Sequence, residues 1–350
     1  MGTTRAILCG YYGKGNGGDE ALLATLLQML PESVTPIVLS GNPQQTYRRY
    51  GVESCDRFSA FHILGAMKKS DYFIWGGGSL MQDVTSLTSP FYYGGLMALA
   101  QKQGLKTIAW AQGLGPLKRP VTQWLTRQVL SYCKAVSIRD RASAKLLADW
   151  QIKNLLSPDP VWALKAKTYS GLGDLHAPRV AVILRPHPQL TPQRLHCLTS
   201  ALISFQKATE ATILLVPFQP VRDLKIAEAI AAKLPRVSRI ITLDDPRELK
   251  GLFQGIEMTI AMRLHGLIMA SSERCRCFAL SYDPKVSQLM AEIDIPGWEL
   301  ENIPDDPNLI CRVWLDYFAN GIALNLAQVE SFSDRAKLHG EMLRHAIVTP

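Results

Sequence analysis

Thr259-Ile260-Ala261-Met262-Arg263-Leu264-His265-Gly266 decides the fold, together with Ser281-Tyr282-Asp283-Pro284-Lys285. Residues 258–261 form a short apolar run that stops at Arg263-Leu264-His265-Gly266, and the apolar residues 267–270 then open a helix. Residues 277–280 repeat the pattern and stop at Asp283 and Lys285. In a parallel α/β sheet the loops after the carboxyl ends of strands line the ligand crevice. Two adjacent strands would therefore aim an arginine, a histidine and a lysine at one place. Arg and Lys supply fixed charge, and His exchanges a proton near neutral pH. That set suits an anionic substrate whose chemistry moves a proton. Any one of the three alone reads more simply as a satisfied structural group; their succession beside a glycine favours a site. Arg263-Leu264-His265 also alternates like a strand running past its core, with Leu264 buried and its neighbours on the other side.

Working outward, short apolar strands alternate with helical stretches, which predicts parallel β/α units. Strands are expected at 6–9, 36–39, 72–75, 107–110, 135–138 and 154–156, with helices at 21–29, 61–69, 93–103, 121–133 and 142–150. Ser157-Pro158-Asp159-Pro160 and the glycine-containing stretch 165–178 read as a linker. A second series follows, with strands at 180–184, 212–216, 239–242, 258–261 and 277–280, and helices at 192–208, 223–233, 246–253 and 266–271. Residues 307–319 and 326–345 are helical by periodicity. The fold class is α/β: two Rossmann-like domains facing across a cleft, 1–168 and 178–350, the second carrying the C-terminal helices. A chain of 350 residues is too long for one small core. It shows no internal repeat in sequence.

A hydrophobic content of 47% with 19% charged residues describes a globular protein rather than a disordered one. No apolar run approaches the ~18 residues of a spanning helix, and Met1-Gly2-Thr3-Thr4-Arg5 leads into a strand without a signal-peptide core. A cytoplasmic location is expected. The net charge of +8 admits nucleic acid, anionic lipid or small anions as partners. Its cations are spread out, with no basic tract interleaved with aromatics, so nucleic acid is not expected. Phosphate-bearing molecules, or peripheral contact with the inner membrane face, fit better. The seven cysteines are scattered, and Cys275-Arg276-Cys277 has no second pair to complete a zinc site. Neither metal nor cofactor is expected.

The first strand ends in Gly10-Tyr11-Tyr12-Gly13-Lys14-Gly15-Asn16-Gly17-Gly18-Asp19-Glu20. Gly13, Gly15 and Gly18 formally match a dinucleotide fingerprint, yet the second strand ends at Leu39-Ser40-Gly41-Asn42 without the carboxylate that would hold a ribose. The loop reads either as a mobile segment presenting Asp19 and Glu20 to sugar hydroxyls, or as a cap and a turn. Gly76-Gly77-Gly78-Ser79 either brings backbone N–H groups close to a ligand, through Gly77 and Gly78, or packs a helix tightly on a strand. Ser137-Ile138-Arg139-Asp140 puts a cation, Arg139, at another strand end, and Asp140 reads as a helix cap. Arg185-Pro186 and Pro217-Phe218-Gln219 also end strands, with Asp223 capping the next helix.

The order of these motifs resembles the polysaccharide pyruvyl transferases, particularly their CsaB-like branch. Carrying the resemblance are Gly10-Tyr11-Tyr12-Gly13 with Asn16 to Ala21; Gly76-Gly77-Gly78-Ser79; Gln112-Gly113; Ser137 to Asp140; Asp159-Pro160; Pro217-Phe218-Gln219; Arg263-Leu264-His265-Gly266; and Tyr282-Asp283-Pro284-Lys285. Each is weak alone, but their order is specific. Lys14 departs from the uncharged or aromatic residue usual in the glycine loop.

The resemblance implies a fold similar to GT-B glycosyltransferases and transfer of pyruvate from phosphoenolpyruvate onto a sugar as a cyclic ketal, with phosphate released. It implies a lipid-linked or polymeric sugar acceptor, in the CsaB-like branch a lipid-linked N-acetylmannosamine-containing disaccharide. By motif position Arg139, His265 and Lys285 correspond to active-site residues, with Arg263 joining them in binding the anion. Gly13, Asp19, Glu20, Gly77 and Gly78 are the expected substrate contacts, on the acceptor side of the N-terminal domain. The competing readings are a nucleotide-sugar glycosyltransferase on the same fold, a nicotinamide dehydrogenase, and a non-catalytic sugar- or lipid-binding module.

Overall fold

A computed structural model describes residues 4–84 and 86–348. Met1, Gly2 and Thr3, read above for a leader, lie outside them. The chain divides into two compact units, Met1–Leu164 with Ser331–Pro350, and Lys165–Glu330.

The first unit holds β1 (Thr4–Cys9), β2 (Val34–Ser40), β3 (Glu53–Asp56), β4 (Tyr72–Gly78), β5 (Lys106–Gln112), β6 (Ala135–Ile138) and β7 (Leu155–Leu156), with α1 (Gly17–Met29), α2 (Pro43–Tyr50), α3 (Ala60–Met67), α4 (Thr88–Lys102), α5 (Pro120–Ser131) and α6 (Arg141–Asp149). Its sheet runs β3-β2-β1-β4-β5-β6-β7, parallel throughout. Alternation along β1 splits the core between the two faces. Ile7 and Cys9 pack with Ile63, Met97 and Val129 from α3, α4 and α5. Ala6 and Leu8 pack with Leu23 and Leu26 of α1. Every residue of β4 is buried, as expected of a parallel sheet covered on both faces.

The second unit holds β8 (Arg179–Ile183), β9 (Thr212–Leu215), β10 (Ser238–Ile240), β11 (Met258–Ala261), β12 (Arg276–Ser281) and β13 (Gly297–Glu299), with α7 (Pro192–Thr209), α8 (Pro220–Ala231), α9 (Pro246–Gly251), α10 (Leu264–Ser272), α11 (Pro284–Ile293) and α12 (Pro307–Asn320). Its order, β10-β9-β8-β11-β12-β13, is the same doubly wound sequence of strands as in the first sheet. Proline in the first turn and a side-chain cap fix many helix starts, as with Thr191 on α7, Asp283 on α11 and Asp306 on α12.

Three departures from the sequence reading have physical reasons. The polar strand β3 and helix α2 carry no apolar period to betray them, and β13 is a three-residue edge strand. Ser157, Pro158, Asp159 and Pro160 are buried in the first unit rather than serving as linker; a 3-10 turn at Pro160–Ala163 follows, and the Ala163 carbonyl accepts from Gln28 of α1. Finally, the last helix, α13 (Leu326–Val348), was expected with the second domain, yet from Ser331 on it belongs to the first unit. Leu343, Ala346 and Ile347 complete the apolar cluster on the α1 face, and the Tyr72 hydroxyl donates to the Ile347 carbonyl at 3.1 Å. Among the described residues no helix is long and apolar enough to cross a membrane.

His339 is the polar residue that α13 buries completely. Its Nε2 lies 3.0 Å from the Pro158 carbonyl, an acceptor only, so Nε2 carries the proton. Nδ1 is 2.9 Å from Ser137 Oγ, which already accepts from the Ala111 N–H and so donates its own proton to the ring. Burial pushes the imidazole down from 6.5 to about 4. Below 6.5 the unfolded chain takes up a proton that the folded chain refuses, so the contribution of this group to stability is flat above that pH and falls between 6.5 and 4. Denaturant titration should show this group removing on the order of 2 kcal/mol between pH 8 and pH 5. His339→Gln should be less stable at pH 8 but lack that part of the acid slope. An unchanged slope would show that His339 is not its source.

Candidate functional site

A doubly wound sheet has one place where the strand order reverses, and there the loops leaving two adjacent strands part to open a crevice. That place lies between β1 and β4 in the first unit and between β8 and β11 in the second.

In the second unit β11 ends at Ala261, and Arg263 becomes the N-cap of α10. The strand therefore does not continue through Arg263-Leu264-His265. Helix geometry takes over at Leu264, and His265 stands in the first turn of α10, half-buried. Arg263 is only 7% exposed, and its Nη2 lies 2.7 Å from Oδ1 of Asp223, itself wholly buried. The other oxygen, Oδ2, accepts from the Gln219 N–H at 2.9 Å. Asp223 is thus in the first turn of α8 but is chiefly the counter-ion that fixes Arg263. Burying such a pair is tolerable because both partners are bonded; removing one typically costs about 3–5 kcal/mol. The N-terminus of α10 has no side-chain cap, which leaves partial positive charge beside Arg263.

Across the same switch point, β8 is followed by Arg185-Pro186-His187. Arg185 Nη1 donates to the Tyr282 hydroxyl at 3.0 Å, and the guanidinium stands 5.0 Å from that ring's centroid. The His187 ring is 4.8 Å from Tyr282, and burial, then the Arg185 charge, holds its pKa below the ordinary value. Sequence reasoning marked Arg185 only as a strand end and missed His187, two residues on. Lys285 sits in the first turn of α11, whose N-cap Asp283 accepts from the Lys285 N–H at 2.9 Å. Arg263, His265 and Lys285 thus leave the ends of two paired strands, β11 and β12.

Arg139 belongs to the first unit. It follows β6, is largely buried, and pairs with Asp159, while its Nη2 reaches Ser79 Oγ at 3.4 Å. Asp159 also accepts from the Val161 N–H. Asp140 caps α6 through the Ser143 N–H, as read from sequence.

The glycine loop is tied down rather than loose. Gly13 adopts a φ of +68°, and a Cβ there would lie 2.0 Å from Ser40 Oγ. Its N–H donates to Glu20 at 2.8 Å, and Glu20, 3% exposed, also pairs with Arg49 at 3.3 Å. Glu20 faces inward and holds the loop; it is not presented to solvent. Asp19 is half-buried, accepts from Asn16 Nδ2 at 2.6 Å, and lies beside Gly78 at the end of β4. Gly77 is pressed by Leu22 of α1, the tight helix–strand packing that its sequence context allowed. Gly78, at φ +113°, has only ordinary contacts and faces the Asp19 carboxylate.

Among solved structures the chain resembles UDP-GlcNAc 2-epimerase from Neisseria meningitidis bound to UDP-GlcNAc, with a TM-score of 0.65 and 11% identity over 97% of this chain and 99% of that one. It resembles the MnaA–UDP structure of S. aureus with a TM-score of 0.66 and 9% identity, over 98% and 95%. MurG of Acinetobacter baumannii gives a TM-score of 0.50 and 12% identity, over 99% and 98%. These likenesses show the fold, that of the GT-B enzymes. No curated protein sequence matches. The polysaccharide pyruvyl transferase family model matches residues 16–284, a span that opens within the glycine loop at Asn16, holds the Arg139 and Arg263-Leu264-His265 motifs, and ends one residue before Lys285. The chain belongs to the polysaccharide pyruvyl transferase family.

Proposed function

We propose that the chain moves the pyruvyl group of phosphoenolpyruvate onto two hydroxyls of one sugar, forming a cyclic ketal and releasing inorganic phosphate. The observation that carries this reading is the placement of Arg185 after β8 and of Arg263 and His265 after β11, the two strands of the switch point, at the α10 N-terminus. The donor carries a carboxylate and a phosphate, which guanidinium forks bind in bidentate fashion and helix N–H groups support.

In the first step the π pair of the donor takes a proton onto the methylene carbon, which becomes a methyl. A sugar hydroxyl bonds to the adjacent carbon and gives up its proton. In the second step another hydroxyl of that sugar bonds to the same carbon and loses its proton. The bond from that carbon to the phosphate oxygen breaks, and phosphate leaves with the electron pair. His265 exchanges these protons, a role worth on the order of 10²–10⁴-fold. Lys285 and Arg263 neutralise the leaving phosphate, and Arg139, by its place in the family's motif order, is a further active-site cation. Asp19 accepts hydrogen bonds from the acceptor's hydroxyls, next to Gly13 and Gly78. Glu20 and Gly77 support that loop and strand.

The acceptor is a lipid-linked or polymeric glycan, of the kind carrying an N-acetylmannosamine-containing disaccharide, and the net charge of +8 suits peripheral contact with an anionic membrane face. Phosphate release from phosphoenolpyruvate, measured with lipid-linked acceptors and with UDP-sugars as rival donors, tests the reading. Turnover of UDP-sugars alone would replace it with glycosyl transfer.

His265→Ala should lower turnover by about 10²-fold or more while leaving the thermal midpoint near the parent value. Near-normal turnover would remove His265 from the mechanism. Arg139→Lys keeps a charge but loses the fork, so donor KM should rise or turnover fall by about tenfold; unchanged kinetics would reduce Arg139 to an anchor for Asp159. Asp19→Asn should weaken acceptor use without loss of stability. Glu20→Gln, by contrast, should cost about 1–3 kcal/mol of stability. A stability loss confined to Asp19→Asn would reverse those two assignments.

A further inference from the structure

Arg57 and Phe58 follow β3 at the carboxyl edge of the first sheet, a strand that has no apolar signature. Arg57 is 4% exposed and bound on several sides. Nη1 donates to the Gly10 carbonyl at 2.8 Å and Nη2 to the Tyr93 hydroxyl at 2.9 Å, while its own carbonyl accepts from the Tyr92 hydroxyl. Its guanidinium stands 5.0 Å from the Tyr92 ring centroid, 5.3 Å from Phe58, 5.4 Å from Tyr93 and 5.7 Å from Tyr11. A buried cation with four aromatic neighbours is a rigid pin, because desolvation strengthens each cation–π contact. It ties the start of the glycine loop at Gly10 and Tyr11 to α4 at Tyr92 and Tyr93.

The outer member of this cluster is Phe58, 65% exposed although it is held by Arg57, by Tyr92 at 6.1 Å and by the Lys14 ammonium at 5.0 Å. Single exposed apolar residues are ordinary. An exposed ring fixed among half-buried Tyr11 and Tyr92, next to a glycine loop at a switch point, is a different case. Ligand sites combine such rings with a few polar groups that set orientation. A pyranose ring matches both parts: its axial C–H bonds make an apolar face for the aromatic ring, and its hydroxyls meet cations and carboxylates at the rim.

We infer that Phe58, supported by Tyr11 and Tyr92 on the Arg57 pin, is the stacking platform for the acceptor sugar, with Lys14 at its rim. The inference rests on the pyruvyl transfer reading and adds to it the residues that select a carbohydrate acceptor. Lys14, the departure from the usual loop residue, then acts in acceptor recognition, where its ammonium can donate to ring hydroxyls. Arg57 is a positioning residue and does not itself touch the sugar.

The test uses the full chain with Phe58→Ala, Phe58→Leu and Phe58→Trp, none of which opens a cavity because the ring is largely exposed. Acceptor KM should rise about tenfold in the Ala and Leu variants and stay near the parent value in the Trp variant, with phosphoenolpyruvate binding and the thermal midpoint unchanged. An acceptor KM unaltered in Phe58→Ala, or a loss of phosphoenolpyruvate binding instead, overturns the platform. Saturation-transfer NMR with methyl glycosides of N-acetylmannosamine, glucose and galactose separates this from the donor assignment. If the parent chain turns over no phosphoenolpyruvate but shows sugar signals that vanish in Phe58→Ala, the donor reading fails and the platform stands. Sugar signals absent from the parent, or persisting in Phe58→Ala, overturn the platform whatever the donor.

Discussion

The reversal of strand order at β1–β4 and again at β8–β11 is the constraint on which the rest of this structure depends. Parallel strands need crossover connections, those crossovers are right-handed, and loops on either side of a reversal must therefore diverge. At those two places the chain spends its unusual residues. The glycine loop and Gly78 stand at the first, and Arg185 with Arg263 and His265 stands at the second. Of the family's motifs, the glycine loop, Gly76 to Ser79 and Arg263-Leu264-His265 are the ones that follow strands at these reversals.

Charge at these edges is arranged with partners. Arg263 is fixed by Asp223, Arg139 by Asp159, and Arg57 by a carbonyl, a hydroxyl and four ring faces. Each solution keeps a guanidinium oriented while leaving a different residual field. A carboxylate partner lowers the net positive charge offered to an anion but fixes the fork in place. Ring faces leave the charge largely unneutralised and make an apolar surface beside it. The first arrangement suits binding of phosphate or carboxylate groups with definite geometry, and the second suits a neutral, C–H-rich ligand.

The closing helix illustrates how a distant segment conditions one of these edges. α13 brings His339 against Ser137, two residues before Arg139, and Pro158, immediately before Asp159. The imidazole accepts the Ser137 hydroxyl's proton and donates to the Pro158 carbonyl, and polar groups left unpaired in such a place cost stability. The backbone bearing the Arg139–Asp159 pair is held from behind by a residue nearly two hundred positions away.

Much of this was legible in the sequence. Short apolar runs ending in glycine, arginine or Asp-Pro gave the parallel units, because burial on both faces of a parallel sheet demands continuous apolar strands and because the breakers mark their carboxyl ends. The family's motif order was readable for the same reason: the residues flank strands whose positions the periodicity reveals. The polar strand β3, and with it Arg57 and Phe58, was not readable, since its stability comes from pairing with β2 and not from its own side chains. Nor could the sequence assign Glu20 and Asp223, whose carboxylates face buried cations 29 and 40 residues away. Local patterning sets which segments become strands and helices. Only tertiary packing decided which charges are consumed as supports, because a counter-ion is chosen by distance in space, and the sequence does not record that distance.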